Sequence, residues 1–143
     1  MASSQWVSDV TEPEFETAVL ELSKTVPVIV DFWAPWCPPC RALGPLLEKV
    51  AAEFAGQVRV AKVNTDECPN LAGEFGVSGI PAVFALRNGT VVDQFEGLLP
   101  EEDLRKFFRG LVPTGADKLV QDAAALEATD PAAAERAYRE ALS

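Results

Sequence analysis

Residues 28–40 constrain the fold of this chain more than any other stretch. Val28-Ile29-Val30-Asp31-Phe32-Trp33 is an apolar run of strand length, introduced by Pro27 and interrupted by a single acid. A run of this kind suits a strand covered on both faces, which calls for helices on either side of a sheet. Ala34-Pro35-Trp36 then leads into Cys37-Pro38-Pro39-Cys40, and an amphipathic helix over 38–55 follows, with Leu43, Leu46, Leu47, Val50 and Phe54 as its inner stripe. Cys37 therefore falls at a helix N-terminus, where free N–H groups and the helix dipole favour a thiolate. Cys40 lies one turn further in, within reach of a mixed disulfide formed at Cys37. The attacking thiol needs exposure, whereas the resolving thiol can stay buried until it is used.

Other uses of the pair fit less well. A structural zinc site needs four ligands, and a chain with three cysteines and no histidine does not supply them. A purely structural disulfide at this spacing closes too short a loop to restrict the unfolded chain much. Two inert buried thiols remain as an alternative, for which a strand–CxxC–helix junction is a poor place. The absence of histidine also excludes Ser-His and Cys-His catalysis. Thiol–disulfide exchange is the chemistry these residues favour.

Asp31 belongs to the same argument. An acid inside a buried apolar strand is costly unless it is paired or protonated, so its carboxyl should have a raised pKa. Lys62, in the following strand, is the candidate partner. Asp31 is then placed to accept a proton when Cys40 must become a thiolate.

The remaining pattern predicts a helix over 12–24, a strand over 58–63 and a short helix over 68–75 ended by Gly76. Strands over 82–86 and 90–95 flank Asn88-Gly89, a dipeptide that favours a tight antiparallel hairpin, and a helix over 101–110 closes the series. This order implies an α/β fold, a mixed central sheet flanked by helices. After Pro113-Thr114-Gly115 the composition shifts to alanine-rich helix, with Asp130 and Pro131 suited to the N-cap and first turn of a second segment. The expected division is a domain over 1–113 and a C-terminal α-helical hairpin over 114–143.

Charge and targeting signals narrow the partners. Twenty-two acidic residues against twelve basic ones give a net charge of −10, with no basic run, so nucleic acid and anionic membrane surfaces are poor partners. The N-terminus lacks the basic-then-apolar pattern of a signal peptide, and no apolar stretch reaches the length of a membrane span. A cytoplasmic location is the expectation. Cys68, in Asp66-Glu67-Cys68-Pro69, has acidic neighbours that disfavour its thiolate and is expected to be a plain surface or half-buried residue.

Taken together, Val-Asp-Phe-Trp-Ala before Trp-Cys-x-Pro-Cys, then Val-Ala-Lys-Val-Asn, Gly-Ile-Pro and Gly97 resemble the thioredoxin family over about residues 5–112. The resemblance implies the thioredoxin fold and a protein-disulfide reductase that acts through a Cys37–Cys40 redox disulfide, with no separate cofactor or metal. It implies that Cys37 attacks, that Cys40 resolves, and that Asp31 and Lys62 are the buried acid and nearby amine. It also implies that Ile80-Pro81 is cis and faces the dithiol, with Trp36, Pro39, Gly79, Ile80, Pro81 and Gly97 forming the substrate groove. Disulfide-containing proteins are the implied substrates, and a flavoprotein reductase the implied electron donor.

Two positions depart from the family. Pro38 replaces the usual glycine and lacks an N–H, so it is expected to remove a donor near the Cys37 sulfur, stiffen the loop and tune the potential. Ala82 stands where a threonine is common. The tail resembles one tetratricopeptide-type hairpin, on Asp130-Pro131, Ala134, Ala137-Tyr138 and Ala141-Leu142. Such repeats normally come in arrays of about three or more, so the hairpin is expected to begin a longer array or to dock on a protein partner. The alternative function is a chaperone-type holdase that binds clients through the tail and protects or reduces their thiols.

Overall fold

The computed structural model describes residues 5–112. The expected hairpin over 114–143, with its implied partner, lies outside the described residues. The elements are β1 (Val7–Asp9), a helical segment from Glu12 to Lys24, β2 (Val28–Trp33), α1 (Pro38–Glu53), β3 (Arg59–Asn64), α2 (Pro69–Glu74), β4 (Ala82–Arg87), β5 (Thr90–Glu96) and α3 (Glu101–Arg109). They form one five-stranded mixed sheet in the order β1-β3-β2-β4-β5. β1 and β2 run parallel to β3 on either side of it, while β4 runs antiparallel to both β2 and β5.

The apolar run at 28–33 becomes the central strand, and alternation along it sorts side chains onto two faces. Val28, Val30 and Phe32 join Phe15, Val19, Ala61, Val63, Leu71 and Phe84 in one core. Within it Phe32 meets Phe75 and Phe84 at ring distances of 5.2 and 5.7 Å. Ile29 and Asp31 therefore face the opposite side, where α1 lies and where the buried stripe of Cys40, Leu43, Gly44, Leu47, Val50 and Ala51 covers the sheet. Leu104 and Phe108 of α3 are buried, and Phe108 packs 5.5 Å from Phe54, at the C-terminal end of α1. Arg105 clamps α3 to α1 through Glu53, at 2.7 and 3.0 Å, while also holding Glu101 of its own helix. This guanidinium holds both carboxyls below the usual range, but surface pairs of this kind orient helices more than they stabilise them.

Two expectations change. The segment predicted as one helix over 12–24 is helical but not α: a 3₁₀ turn at Glu12–Glu14, a π stretch at Glu16–Glu21 and a 3₁₀ turn at Leu22–Lys24. Apolar periodicity fixes which face packs, but it does not fix the hydrogen-bond step. β1 was not predicted, because three residues with only Val7 buried give no alternation to read. The hairpin turn adopts positive φ at both Asn88 and Gly89, the geometry of a two-residue hairpin turn. Buried Ser23 anchors it: the Asn88 N–H donates to the Ser23 carbonyl and the Gly89 N–H to its hydroxyl, both at 2.8 Å.

Phe32 is fully buried against the rings of Phe75 and Phe84, so Phe32→Ala should lower unfolding free energy by about 3–5 kcal/mol in urea denaturation. A loss below about 1 kcal/mol would contradict this packing.

Candidate active site

The end of β2 and the start of α1 place the dithiol. Cys37 is the N-cap of α1, with Pro38 and Pro39 in the first turn, where a missing N–H costs nothing to the helix. The loop is closed by the Cys37 N–H donating to the Ala34 carbonyl and the Arg41 N–H to the Cys37 carbonyl, both at 3.1 Å. Cys37 and Cys40 are joined as a disulfide, with Cα atoms 5.2 Å apart. The Cys40 N–H donates to Cys37 Sγ at 3.3 Å. This is the helix-terminal donor that would stabilise negative charge on that sulfur once the bond is opened.

In this disulfide form neither sulfur residue is exposed: each retains 3% of its accessible surface. The expectation of an exposed Cys37 is corrected. The pair packs with Ala34 under Trp33 and Ile80, so apolar cover screens the sulfurs from water. The Ile80–Pro81 peptide is cis, and the Ile80 carbonyl oxygen lies 3.8 Å from Cys37 Sγ. Gly97 closes the same rim, its N–H donating to the Pro81 carbonyl at 2.8 Å with φ of +82°, a conformation that favours glycine. Gly79 and Pro39 are exposed beside it, and Ala82 is buried where β4 begins.

Trp36 is 65% exposed, and its indole N–H donates to Asp66 Oδ2 at 2.9 Å. Sequence reading missed Asp66 as a holder of Trp36, since thirty residues separate them and nothing local links the two. Leu98, an exposed apolar side chain next to Gly97, was also missed. Cys68, by contrast, is buried in the core with Phe15 and Leu71, which corrects the surface or half-buried expectation. Burial and the Glu12 carboxylate push its thiol up, away from reactivity. Glu12 is nearby because it accepts the N–H groups of Asn70 and Leu71 at the start of α2.

Asp31 is fully buried in β2, just ahead of the turn that carries the dithiol, and neither carboxyl oxygen has a hydrogen-bond partner among the described residues. Desolvation raises its pKa from 3.8 to about 7, with the Lys62 charge opposing. Lys62 is its direct neighbour in the β2–β3 register, yet the two form no ion pair; the Lys62 ammonium instead lies 4.6 Å from the centre of the Trp33 ring. Among the described residues no group of three or more histidine, cysteine or acidic side chains is arranged to hold a metal ion. No helix of the described residues is long and apolar enough to cross a membrane.

Comparison with known proteins agrees with this geometry. The thioredoxin family model matches residues 6–110. The chain is 43% identical over 98 residues to a thioredoxin of Chlorobaculum thiosulfatiphilum, covering 68% of this chain and 89% of that one. It is 44% identical over 95 residues to thioredoxin 1 of Synechococcus elongatus, covering 66% and 87% respectively. It is 46% identical over 100 residues to the mitochondrial thioredoxin of Bos taurus, covering 70% and 59%.

The buried carboxyl makes a pH prediction. Between its unfolded pKa near 3.8 and its folded value of about 7, the folded state binds a proton that the unfolded state does not. Unfolding free energy should therefore fall as pH rises across that window and level off above it, by a few kcal/mol in total. Asp31→Asn should flatten this slope and exceed the wild type in stability at pH 8, read by urea denaturation of the oxidised protein. An unchanged slope would rule out Asp31 as its source.

Proposed function

The chain belongs to the thioredoxin family and is a thiol–disulfide oxidoreductase, and on that premise we propose how its own residues divide the work of protein-disulfide reduction. The catalytic group is the Cys37–Cys40 pair, with no separate cofactor. In the reduced protein the Cys37 thiolate attacks one sulfur of a client disulfide. A Cys37–client bond forms, and the other client sulfur leaves as a thiolate and takes a proton from solvent. Cys40 then attacks Cys37 Sγ, re-forming the internal disulfide and releasing the second client thiol. Two electrons pass to the client, and the dithiol ends oxidised.

The observation that carries this reading is the unpartnered, buried Asp31 carboxyl behind the dithiol, with a pKa of about 7. A base poised near neutrality takes the Cys40 proton as that thiol attacks. Lys62 adjusts the carboxyl by its charge. Clients dock on the rim made by Trp36, Pro39, Gly79, Ile80, Pro81 and Gly97, with the backbone at Ile80 pairing with an extended client segment. The partners are thus disulfide-containing proteins, with a flavoprotein reductase restoring the dithiol.

The proposed location is the cytoplasm; relatives include a chloroplast and a mitochondrial thioredoxin, so compartments differ within the family. The holdase alternative rests on 114–143, outside the described residues, and no feature of residues 5–112 favours it.

Two experiments test the assignment. Reduction of insulin disulfides in the presence of dithiothreitol should be lost in Cys37→Ser; activity near the wild-type level there would sink the reading. Pro38 and Pro39 leave Cys40 as the donor to Cys37 Sγ. Pro38→Gly restores an N–H in that turn, so the pH of half-maximal Cys37 alkylation should fall and the potential should shift. Values in Pro38→Gly identical to those of the wild type would remove Pro38 as a tuning residue.

A further inference from the structure

Lys62 sits in an unusual place for a charged side chain. It retains only 8% of its accessible surface, yet it makes no ion pair within the described residues. In the sheet register it stands between two acids, Asp31 on β2 and Asp9 on β1. From α1, Gly44 faces it: a Cβ built on that glycine would stand 3.4 Å from Lys62 Nζ. Along α1, Arg41 and Glu48 flank Gly44 at three and four residues on the same side, Arg41 exposed and Glu48 half-buried. Two acids are thus its register neighbours, yet the ammonium rests instead on the Trp33 ring, 4.6 Å from its centre. Trp33 belongs to β2 on the same face as Asp31, two residues on.

An ammonium above an indole face is attracted by the ring quadrupole, and the attraction is strongest for tryptophan and grows when water is excluded. That contact competes with direct pairing to the neighbouring carboxyl. Gly44 lies over the amine, where a Cβ would reach ordinary van der Waals distance, so the ring is the contact that seats the ammonium. We propose that Trp33 is a positioning residue: its indole face seats the Lys62 ammonium off the Asp31 carboxyl, leaving both carboxyl oxygens unpaired and able to take a proton from the dithiol. This rests on the reading of Asp31 as the proton acceptor. Direct Lys62–Asp31 pairing would hold the carboxyl ionised and weaken it as a base.

The test is a carboxyl NMR titration of Asp31 in the oxidised protein. In Trp33→Leu the ammonium loses its seat and swings to the adjacent acid, so the Asp31 midpoint should fall by about one unit. Trp33→Phe keeps a weaker ring and should give a smaller fall; if Trp33→Leu does not fold, this variant decides. Against a Lys62→Met background, Trp33→Leu should add no shift, because there is no ammonium to move. A midpoint that stays or rises in the Trp33 variants, or an equal fall without Lys62, would overturn the proposal. The rate of mixed-disulfide resolution against pH separates the two readings. A profile that follows the midpoint supports both, whereas a lowered midpoint with an unmoved profile upholds the Lys62 seat and removes Asp31 from the proton transfer.

Discussion

Placing β2 at the centre of the sheet is the constraint on which the rest of the molecule depends. Because the strand is covered on both faces, each of its side chains from Val28 to Phe32 must lie in one of two cores. The arrangement accommodates four of them at low cost and one, Asp31, at high cost. Asp31 enters the dry side beneath α1, where desolvation keeps its carboxyl protonated to about neutral pH. The same strand ends in the turn that makes Cys37 the N-cap of α1. One element thus fixes the buried acid and the dithiol relative to each other.

The second half of the domain completes the site from the other direction. β4 begins at the cis Ile80–Pro81 bond, pairs antiparallel with β2, and so brings the Ile80 carbonyl against Cys37. β5 pairs with β4 and returns Gly97 to the same rim. The hairpin between them is held by Ser23, from the segment that packs on the opposite face of the sheet to α1. Stability is therefore spread over both cores, while the chemistry gathers at the end of the sheet where β2 stops and β4 starts.

Two electrostatic environments lie only a few residues apart. The disulfide is screened by apolar neighbours, and the Cys40 N–H is the helix-terminal donor to Cys37 Sγ. Asp31 has no donor among the described residues, and the Lys62 ammonium beside it in the sheet is turned onto an aromatic ring. A carboxyl left unpaired in this way is poorly stabilised as an anion, which is what suits it to accept a proton near neutrality. Full pairing would make the fold more comfortable and the acid a weaker base.

Much of this was legible in the sequence. The run at 28–33 announced a doubly covered strand, the CxxC at a helix start announced redox chemistry, and an acid inside an apolar strand announced a raised pKa. Asn88-Gly89 announced a hairpin because its backbone conformation is set by local sterics. Each of these depends on neighbours in the chain. What only the tertiary structure decided depends on distant ones: the burial of Cys68 behind Glu12 and Phe15, the Asp66 acceptor for Trp36, the cover over Cys37, and the choice of Lys62 between a carboxylate and an indole face. Strand order puts Lys62 beside Asp31, and no spacing rule encodes strand order. The sequence by itself determined which groups carry the chemistry, and packing across the sheet determined the environment in which they carry it.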